Sequence, residues 1–171
     1  MILNSKQFLI AVFSLLSLPF LPACWSFGKK AEQKPKFYLV NVLDKSAFDD
    51  CSIEGSICVP FEDVEKFAQG LDKDTEVVFY CANYMCTASG ASAQKLKQMG
   101  FEKVWAYEGG VAEWRQLGLA PEGAGKFPVR GVCQAAYLNA PNQKHEGPSS
   151  VPTLSAEELR EKLKINGILA Q

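Results

Sequence analysis

The segment EVVFYCANYMCT, residues 76–87, decides the fold. Its first part, Glu76 to Tyr80, is a continuous run of β-branched and aromatic residues after one glutamate, which is typical of a strand buried on both faces of a parallel sheet. The strand ends at Cys81. A helix rich in Ala, Gln and Lys is predicted from Thr87 to Met99, where Gly100 stops it. A cysteine therefore opens a short loop between a buried strand and a helix.

Strand and helix patterns alternate on both sides of this segment. Apolar β-rich runs predict further strands, and apolar residues at helical spacing predict further helices. The predicted strands cover residues 37–42, 56–60 and 103–107, and the predicted helical segments cover residues 46–50, 62–68 and 111–117. This alternation predicts an α/β fold with a parallel sheet flanked by helices.

At 171 residues with 47% hydrophobic content, the chain has room for one ordinary core. Composition divides it into five parts: an apolar leader at 1–23, a basic and polar tether at 24–35, a single domain at 36–121, a linker rich in Gly, Pro, Asn and Ser at 122–152, and a C-terminal helix at 153–171. The last helix opens with the capping box Ser155 to Glu158, and Leu159 and Leu163 share one side of it.

The leader has the features of a signal peptide. Lys6 precedes the apolar stretch 8–18, which is too short to span a membrane. LPAC at residues 21–24 resembles the lipobox of bacterial lipoproteins, which implies a lipid on Cys24. We therefore expect an exported protein anchored to a membrane of the cell envelope, on the periplasmic side if there are two membranes. Ordinary cleaved secretion and an uncleaved anchor are the alternatives.

The charges and the cysteines exclude several functions. The 18 basic and 19 acidic residues form no basic stripe, so no nucleic-acid partner is predicted. No Cys-x-x-Cys spacing is present and the single histidine, His145, lies in a polar tail, so neither a metal site nor a cofactor is predicted. Without Cys24 five cysteines remain, and at least one is unpaired within the chain. Cys51 and Cys58 could pair with each other or with Cys133, and the sequence does not decide.

The loop after Cys81 has the shape that thiolate chemistry needs. Successive amides and the N-terminus of the following helix can point N–H groups at one spot, which predicts a lowered pKa for Cys81. The residues of this predicted cradle are Ala82, Asn83, Tyr84, Met85, Cys86 and Thr87. Cys86 is either a passive loop residue or a resolving thiol for Cys81.

Several short motifs together resemble a single rhodanese domain, a sulfurtransferase fold. They are CSIEGSI at 51–57, VVFYC at 77–81, GFEKV at 100–104, YEGGV at 107–111 and the pair Glu113-Trp114. The resemblance implies that Cys81 takes a sulfane sulfur from a small donor such as thiosulfate, holds it as a persulfide, and passes it to a thiol acceptor.

The chain also departs from the rhodanese pattern. Asn41 and Leu43 stand where that family usually has Asp and Arg, and Ser52 where it often has His. The loop carries no Arg or Lys, so a dianion would meet only amide dipoles, and thiosulfate is expected to be a poor donor. Phosphatase relatives of the fold end a longer loop in arginine, whereas Thr87 follows Cys86 here.

The opening element of the rhodanese fold stands at the wrong end of the chain. Rhodanese domains usually begin with a short strand and helix similar to PTLSAEELREKLK, which here occupies residues 152–164. A permuted order is physically permitted, because the termini of compact domains are often close together. The alternatives are a truncated second domain and a loose amphipathic tail.

The sequence leaves three functions open. The leading one is a sulfurtransferase or persulfide carrier in the cell envelope that uses Cys81 as nucleophile. The second is thiol-disulfide exchange through Cys81 and Cys86. The third is a non-catalytic binding domain with a rhodanese fold, which the missing polar pair and the missing loop cation favour.

Overall fold

The computed structural model describes residues 36–144 and 149–170. The predicted leader, the tether, the lipidation site Cys24 and His145 lie outside the described residues. Among the described residues, no helix has the length and apolar character that are needed to cross a membrane.

Six strands and five α-helices follow one another along the described chain. The strands are β1 (Phe37–Asn41), β2 (Ser52–Ile53), β3 (Ile57–Cys58), β4 (Glu76–Tyr80), β5 (Val104–Tyr107) and β6 (Val129–Arg130). The α-helices are α1 (Lys45–Asp50), α2 (Val64–Gln69), α3 (Ala88–Gln98), α4 (Gly110–Leu119) and α5 (Ala156–Ile165), and short 3-10 helices cover Phe61–Asp63 and Ala136–Asn139.

The main sheet has four parallel strands in the order β3-β1-β4-β5. β4 lies between β1 and β5, with Val40 opposite Phe79 and Phe79 opposite Ala106. Both neighbours cover its edges and helices cover its faces, so its uninterrupted apolar sequence suits the position. The predicted α/β fold with a parallel sheet flanked by helices is confirmed.

Each face of the sheet carries its own apolar core. Because side chains alternate along a strand, Val78 and Tyr80 of β4 join one core and Val77 and Phe79 join the other. The first core contains the fully buried side chains of Trp114, Leu159 and Leu163, among others. The second is closed by α2 and α3, through residues such as Val64 and Leu96.

The segment that composition predicts as a linker is packed over much of its length. β6 pairs antiparallel with β2, and a disulfide joins Cys51 to Cys133. Phe127 and Leu138 are buried in the first core. These contacts are long-range, so a local composition rich in Gly and Pro does not reveal them.

The C-terminal segment lies against the free edge of β5. The N–H of Ala106 donates to Pro152 O and the N–H of Leu154 donates to Ala106 O, so Thr153 forms a parallel bridge beside β5. Helix α5 begins at the capping box that Ser155 and Glu158 form. This element occupies the sheet edge next to β5 although it comes last in the chain.

Candidate active site

The candidate site is the loop of residues 81–87, called here the cysteine loop, between β4 and α3. The N–H of Val111 donates to Cys81 O and the N–H of Ala112 donates to Ala82 O, both at 3.0 Å, so the start of α4 holds the start of the loop. Gly110 has a φ of +62°, and a Cβ there would lie 2.6 Å from Cys81 O. Only glycine allows this close approach at low cost.

Asn83 organises the middle of the cysteine loop. Its Oδ1 accepts from the N–H of Met85 at 3.0 Å, its backbone O accepts from the N–H of Cys86 at 3.0 Å, and its Nδ2 donates to Tyr137 O at 3.3 Å. The amides of Met85 and Cys86 therefore serve the turn itself. They are not directed at Cys81.

The thiol of Cys81 is fully buried against two carbonyl acceptors and against Ser89, whose hydroxyl and backbone N–H donate to it. Its Sγ lies 3.1 Å from Cys86 O, 3.9 Å from Asn83 O and 3.6 Å from Ser89 Oγ. Hydrogen bonding to the Cys86 thiol, followed by burial, raises the pKa of Cys81 well above its ordinary value. The sequence-based expectation of a lowered pKa at Cys81 is therefore wrong: the hydroxyl and backbone N–H of Ser89 act in the expected direction, but the Cys86 thiol and burial outweigh them.

The lowered pKa belongs to Cys86. A hydrogen bond from the Cys81 thiol and the backbone N–H groups of Ala88 and Ala82 lower the pKa of Cys86 to about 6, against the opposing effect of partial burial. Ala88 is the first residue of α3, so one of these donors belongs to a helix N-terminus. The cradle that the sequence predicts thus forms around the second thiol of the loop.

A cavity of about 300 Å³ opens beside Cys86, and we call it the Cys86 cavity. Its wall includes Tyr84, Thr87, Ser89, Gln94 and Glu108, together with residues at the start of α3 and near 150. The residues that line it in the described part of the chain include no Lys or Arg. Cys81 is not among the lining residues, since Cys86 and the rest of the loop cover it.

Sequence reasoning assigned no role to three residues that contact the site. Glu113 of α4 accepts from Tyr84 OH at 3.0 Å through Oε1 and from Tyr107 OH at 2.8 Å through Oε2. Ser89 and Tyr137 contact the cysteine loop through the Cys81 thiol and the Asn83 side chain. Glu113 belongs to one of the motifs that resemble the rhodanese family, so the sequence indicates its position but not its role. Nothing in the local sequence indicates Ser89 or Tyr137.

Of the positions that depart from the rhodanese pattern, Asn41 is the last residue of β1, Leu43 follows it, and Ser52 lies in β2. Asn41 is buried, and its Oδ1 accepts from the N–H of Leu43 at 2.8 Å. Nearby, Tyr80 OH accepts from the N–H of Ile53 at 3.0 Å and lies 2.7 Å from Ser56 Oγ. Arg130 donates to Ser56 O at 2.7 Å, whereas Asn41 Nδ2 is buried and has no hydrogen-bond partner among the described residues.

The remaining cysteines separate into a disulfide and one further thiol. Of the pairings that the sequence left open, the structure contains Cys51–Cys133, and Cys58 is free. Cys58 borders a different cavity, next to Pro60 and Phe67. Within residues 36–144 and 149–170, no group of three or more His, Cys, Asp or Glu residues could hold a metal ion.

Comparison with known proteins agrees with this architecture. The family model described as "Rhodanese-like domain" matches residues 27–117, which is more than half of the chain. The chain belongs to this family. The matched range of this rhodanese-like domain includes β4, the cysteine loop and α3.

Individual relatives are similar at modest identity. Thiosulfate sulfurtransferase GlpE of Tolumonas auensis is 29% identical over 50% of this chain and 78% of its own length. The protein of the same name from Shewanella oneidensis is 28% identical over 46% of this chain and 75% of its own length. A solved structure from Bacillus halodurans shares 26% identity and a TM-score of 0.47, over 57% of this rhodanese-like domain protein and 66% of that chain.

Proposed function

We propose that this protein is a sulfurtransferase or persulfide carrier in which Cys81 holds the sulfane sulfur. The observation that carries the proposal is a buried cysteine, Cys81, at the end of β4, which opens a loop to α3 whose second cysteine, Cys86, lines a cavity of about 300 Å³. The names of the two similar curated proteins, both thiosulfate sulfurtransferases, support the reaction class.

The proposed reaction is a transfer between sulfur atoms. A thiolate of the loop attacks the sulfane sulfur of a donor R–S–SH, the donor's S–S bond breaks, and R–S⁻ leaves. The protein then carries –S–SH and passes the outer sulfur to an acceptor thiol. The size of the Cys86 cavity fits a small donor or acceptor.

Thiol-disulfide exchange through Cys81 and Cys86 is the second candidate function. The position of two free cysteines in one short loop favours it, because neighbouring thiols can oxidise to a disulfide. The two candidates give different products. A sulfurtransferase gains one sulfur atom from the donor, whereas an exchanger loses two hydrogens and gains none.

Mass spectrometry of the reduced protein after exposure to inorganic polysulfide tests the proposal. We expect the mass of one added sulfur on the peptide that contains Cys81, and removal of that sulfur by cyanide. Cys58→Ser is the matched control, because its thiol is free but borders another cavity, and it should load like the wild type. Absence of any added sulfur on the loop would favour the third possibility, a non-catalytic binding domain.

We further propose that the protein is exported and carries a lipid on Cys24. The leader-like residues 1–23 and the lipobox-like LPAC support this, and so does the Cys51–Cys133 disulfide, because disulfides persist mainly in oxidising compartments. Metabolic labelling with a fatty-acid analogue should mark the wild type and not Cys24→Ala. Labelling that persists in the variant, or fails in both, would contradict the lipoprotein assignment.

A further inference from the structure

The two thiols of the cysteine loop differ in their access to solvent. Cys81 has 0% of its surface exposed, whereas Cys86 is only partly buried and lines the Cys86 cavity. The carbonyl oxygens of Cys86 and Asn83 and the hydroxyl of Ser89 surround the Cys81 sulfur. A donor in the cavity therefore meets Cys86 before Cys81.

The two thiols also differ in the groups that face them. Amide N–H groups from Ala82 and from Ala88, at the start of α3, point at Cys86 together with the Cys81 thiol. All three are donors, and donors stabilise an anion. The Cys81 sulfur has the hydroxyl and the backbone N–H of Ser89 as donors, but its nearest oxygen is a carbonyl acceptor at 3.1 Å, which stabilises a protonated thiol. Access and hydrogen bonding thus favour the same thiolate.

We propose that Cys86 is a second catalytic residue of this domain: it is the thiolate that takes the sulfane sulfur from the donor, and it then passes that sulfur to Cys81. This inference rests on the proposed sulfurtransferase function and deepens it. The resemblance to the family implies that Cys81 reacts with the donor. In this inference Cys86 reacts with the donor first, and Cys81 reacts second.

Both steps balance without an added oxidant or reductant. In the first, Cys86–S⁻ attacks the outer sulfur of R–S–SH, the donor's S–S bond breaks, and R–S⁻ leaves, so that Cys86–S–SH forms. In the second, the Cys81 sulfur attacks the outer sulfur of Cys86–S–SH and its proton passes to the Cys86 sulfur as that atom leaves. The products are Cys81–S–SH and Cys86–SH. The persulfide is then held on the buried cysteine until an acceptor thiol takes its outer sulfur.

A time-resolved loading experiment with glutathione persulfide tests this order. The fully reduced wild type, Cys81→Ser, Cys86→Ser and the control Cys58→Ser are mixed with the donor, quenched with an alkylating reagent, and digested. Fragmentation then locates the added sulfur within the peptide that contains both loop cysteines. The early time points of the wild type need no variant, so the order of loading is measured even if a substitution impairs folding.

We expect sulfur on Cys86 first and on Cys81 later in the wild type, with accumulation on Cys86 in Cys81→Ser. In Cys86→Ser, loading of Cys81 should slow by about tenfold or more, since a sealed thiol reacts only when the loop opens. Loading of Cys81 first, at an unchanged rate in Cys86→Ser, would overturn the inference and leave the proposed function intact. A Cys81–Cys86 disulfide with released hydrosulfide would also overturn it. No sulfur on either cysteine would overturn the proposed function itself.

Discussion

The hydroxyl of Tyr84 donates to Oε1 of Glu113 at 3.0 Å and so ties the middle of the cysteine loop to helix α4. The second carboxylate oxygen of Glu113 accepts from Tyr107 OH at 2.8 Å, which joins the same carboxylate to the end of β5. One side chain therefore fixes the loop relative to a strand and a helix. Burial, followed by the charge of Glu113, raises the pKa of Tyr84 above its ordinary value, so this hydroxyl stays a donor at neutral pH.

Removal of this tie should loosen the loop at a modest cost in stability. Tyr84→Phe is expected to lower the free energy of unfolding by about 1 kcal/mol, the usual net value of one hydrogen bond. Urea denaturation measures this, and hydrogen exchange should show faster exchange of the loop amides. The matched control is Tyr38→Phe, whose ring packs against Phe67. Equal exchange rates in the loops of the two variants would contradict a positioning role for Tyr84.

The Cys51–Cys133 disulfide should contribute strongly to stability, since it closes a span of 82 residues. Replacement of both cysteines by alanine is expected to lower the free energy of unfolding by about 2 to 5 kcal/mol. A reducing agent should lower the denaturation midpoint of the wild type to a similar extent and leave that of the double variant unchanged. A wild-type midpoint that does not respond to reduction would show that the bond does not stabilise the protein in solution.

Helix α5 offers a matched pair of substitutions that test how firmly the C-terminal segment packs. Leu163 is fully buried against the first core, whereas Ile165 is 82% exposed two residues later. Leu163→Ala should lower the free energy of unfolding by about 2 to 5 kcal/mol, the usual range for a buried leucine. Ile165→Ala should change it by about 0.5 kcal/mol or less. Similar denaturation midpoints for the two variants would contradict docking of the helix.

The fold follows from the sequence where periodicity is strong. The apolar run Glu76–Tyr80 coincides with β4, and the predicted helix before Gly100 corresponds to α3 within a residue or two at each end. The two-residue strands β2 and β6 are too short to show an alternating pattern, and their pairing joins distant parts of the chain. The choice of Cys133 as the partner of Cys51 depends on that same pairing, so local sequence leaves it open.

The site follows from the sequence only to the level of the loop. A strand that ends at a cysteine before a helix predicts that several N–H groups converge in the cysteine loop, and the structure shows such N–H groups there. Which sulfur they face depends on the turn that Asn83 makes, because its side chain and carbonyl take up the amides of Met85 and Cys86. The orientation of these N–H groups cannot be predicted from residue types and spacing. Consequently the sequence predicts a lowered pKa at Cys81, whereas the backbone N–H groups of Ala82 and Ala88 lower the pKa of Cys86.

The lack of a cation among the described residues that line the Cys86 cavity should make thiosulfate a poor donor compared with polysulfide. Among these residues Glu108 adds negative charge and Gln94 is exposed near the opening. Gln94→Lys should therefore raise the rate of loading from thiosulfate by about tenfold, because a cation stabilises the bound dianion. Gln98→Lys adds the same charge one turn further along α3, at a residue that does not line the cavity. Efficient use of thiosulfate by the wild type would refute this account.

The reactivity of Cys86 should depend on pH with a midpoint near its pKa of about 6. Only the thiolate is alkylated at a useful rate, so labelling by iodoacetamide should be slow below this pH and level off above it. Cys81→Ala removes the thiol that donates to Cys86, which is the largest cause of the lowered pKa, and the midpoint should move upward toward the ordinary cysteine value. Tyr84 and Glu108 also line the cavity and remain in both proteins.

Site-resolved mass spectrometry measures the labelling of Cys86 at each pH. The free thiol of Cys58 is the internal reference, because burial raises its pKa and it should label only at higher pH. If Cys86 and Cys58 shared one pH profile, the hydrogen bonds that converge on Cys86 would have no effect on its ionisation, and the proposed order of reaction, Cys86 before Cys81, would lose its electrostatic basis.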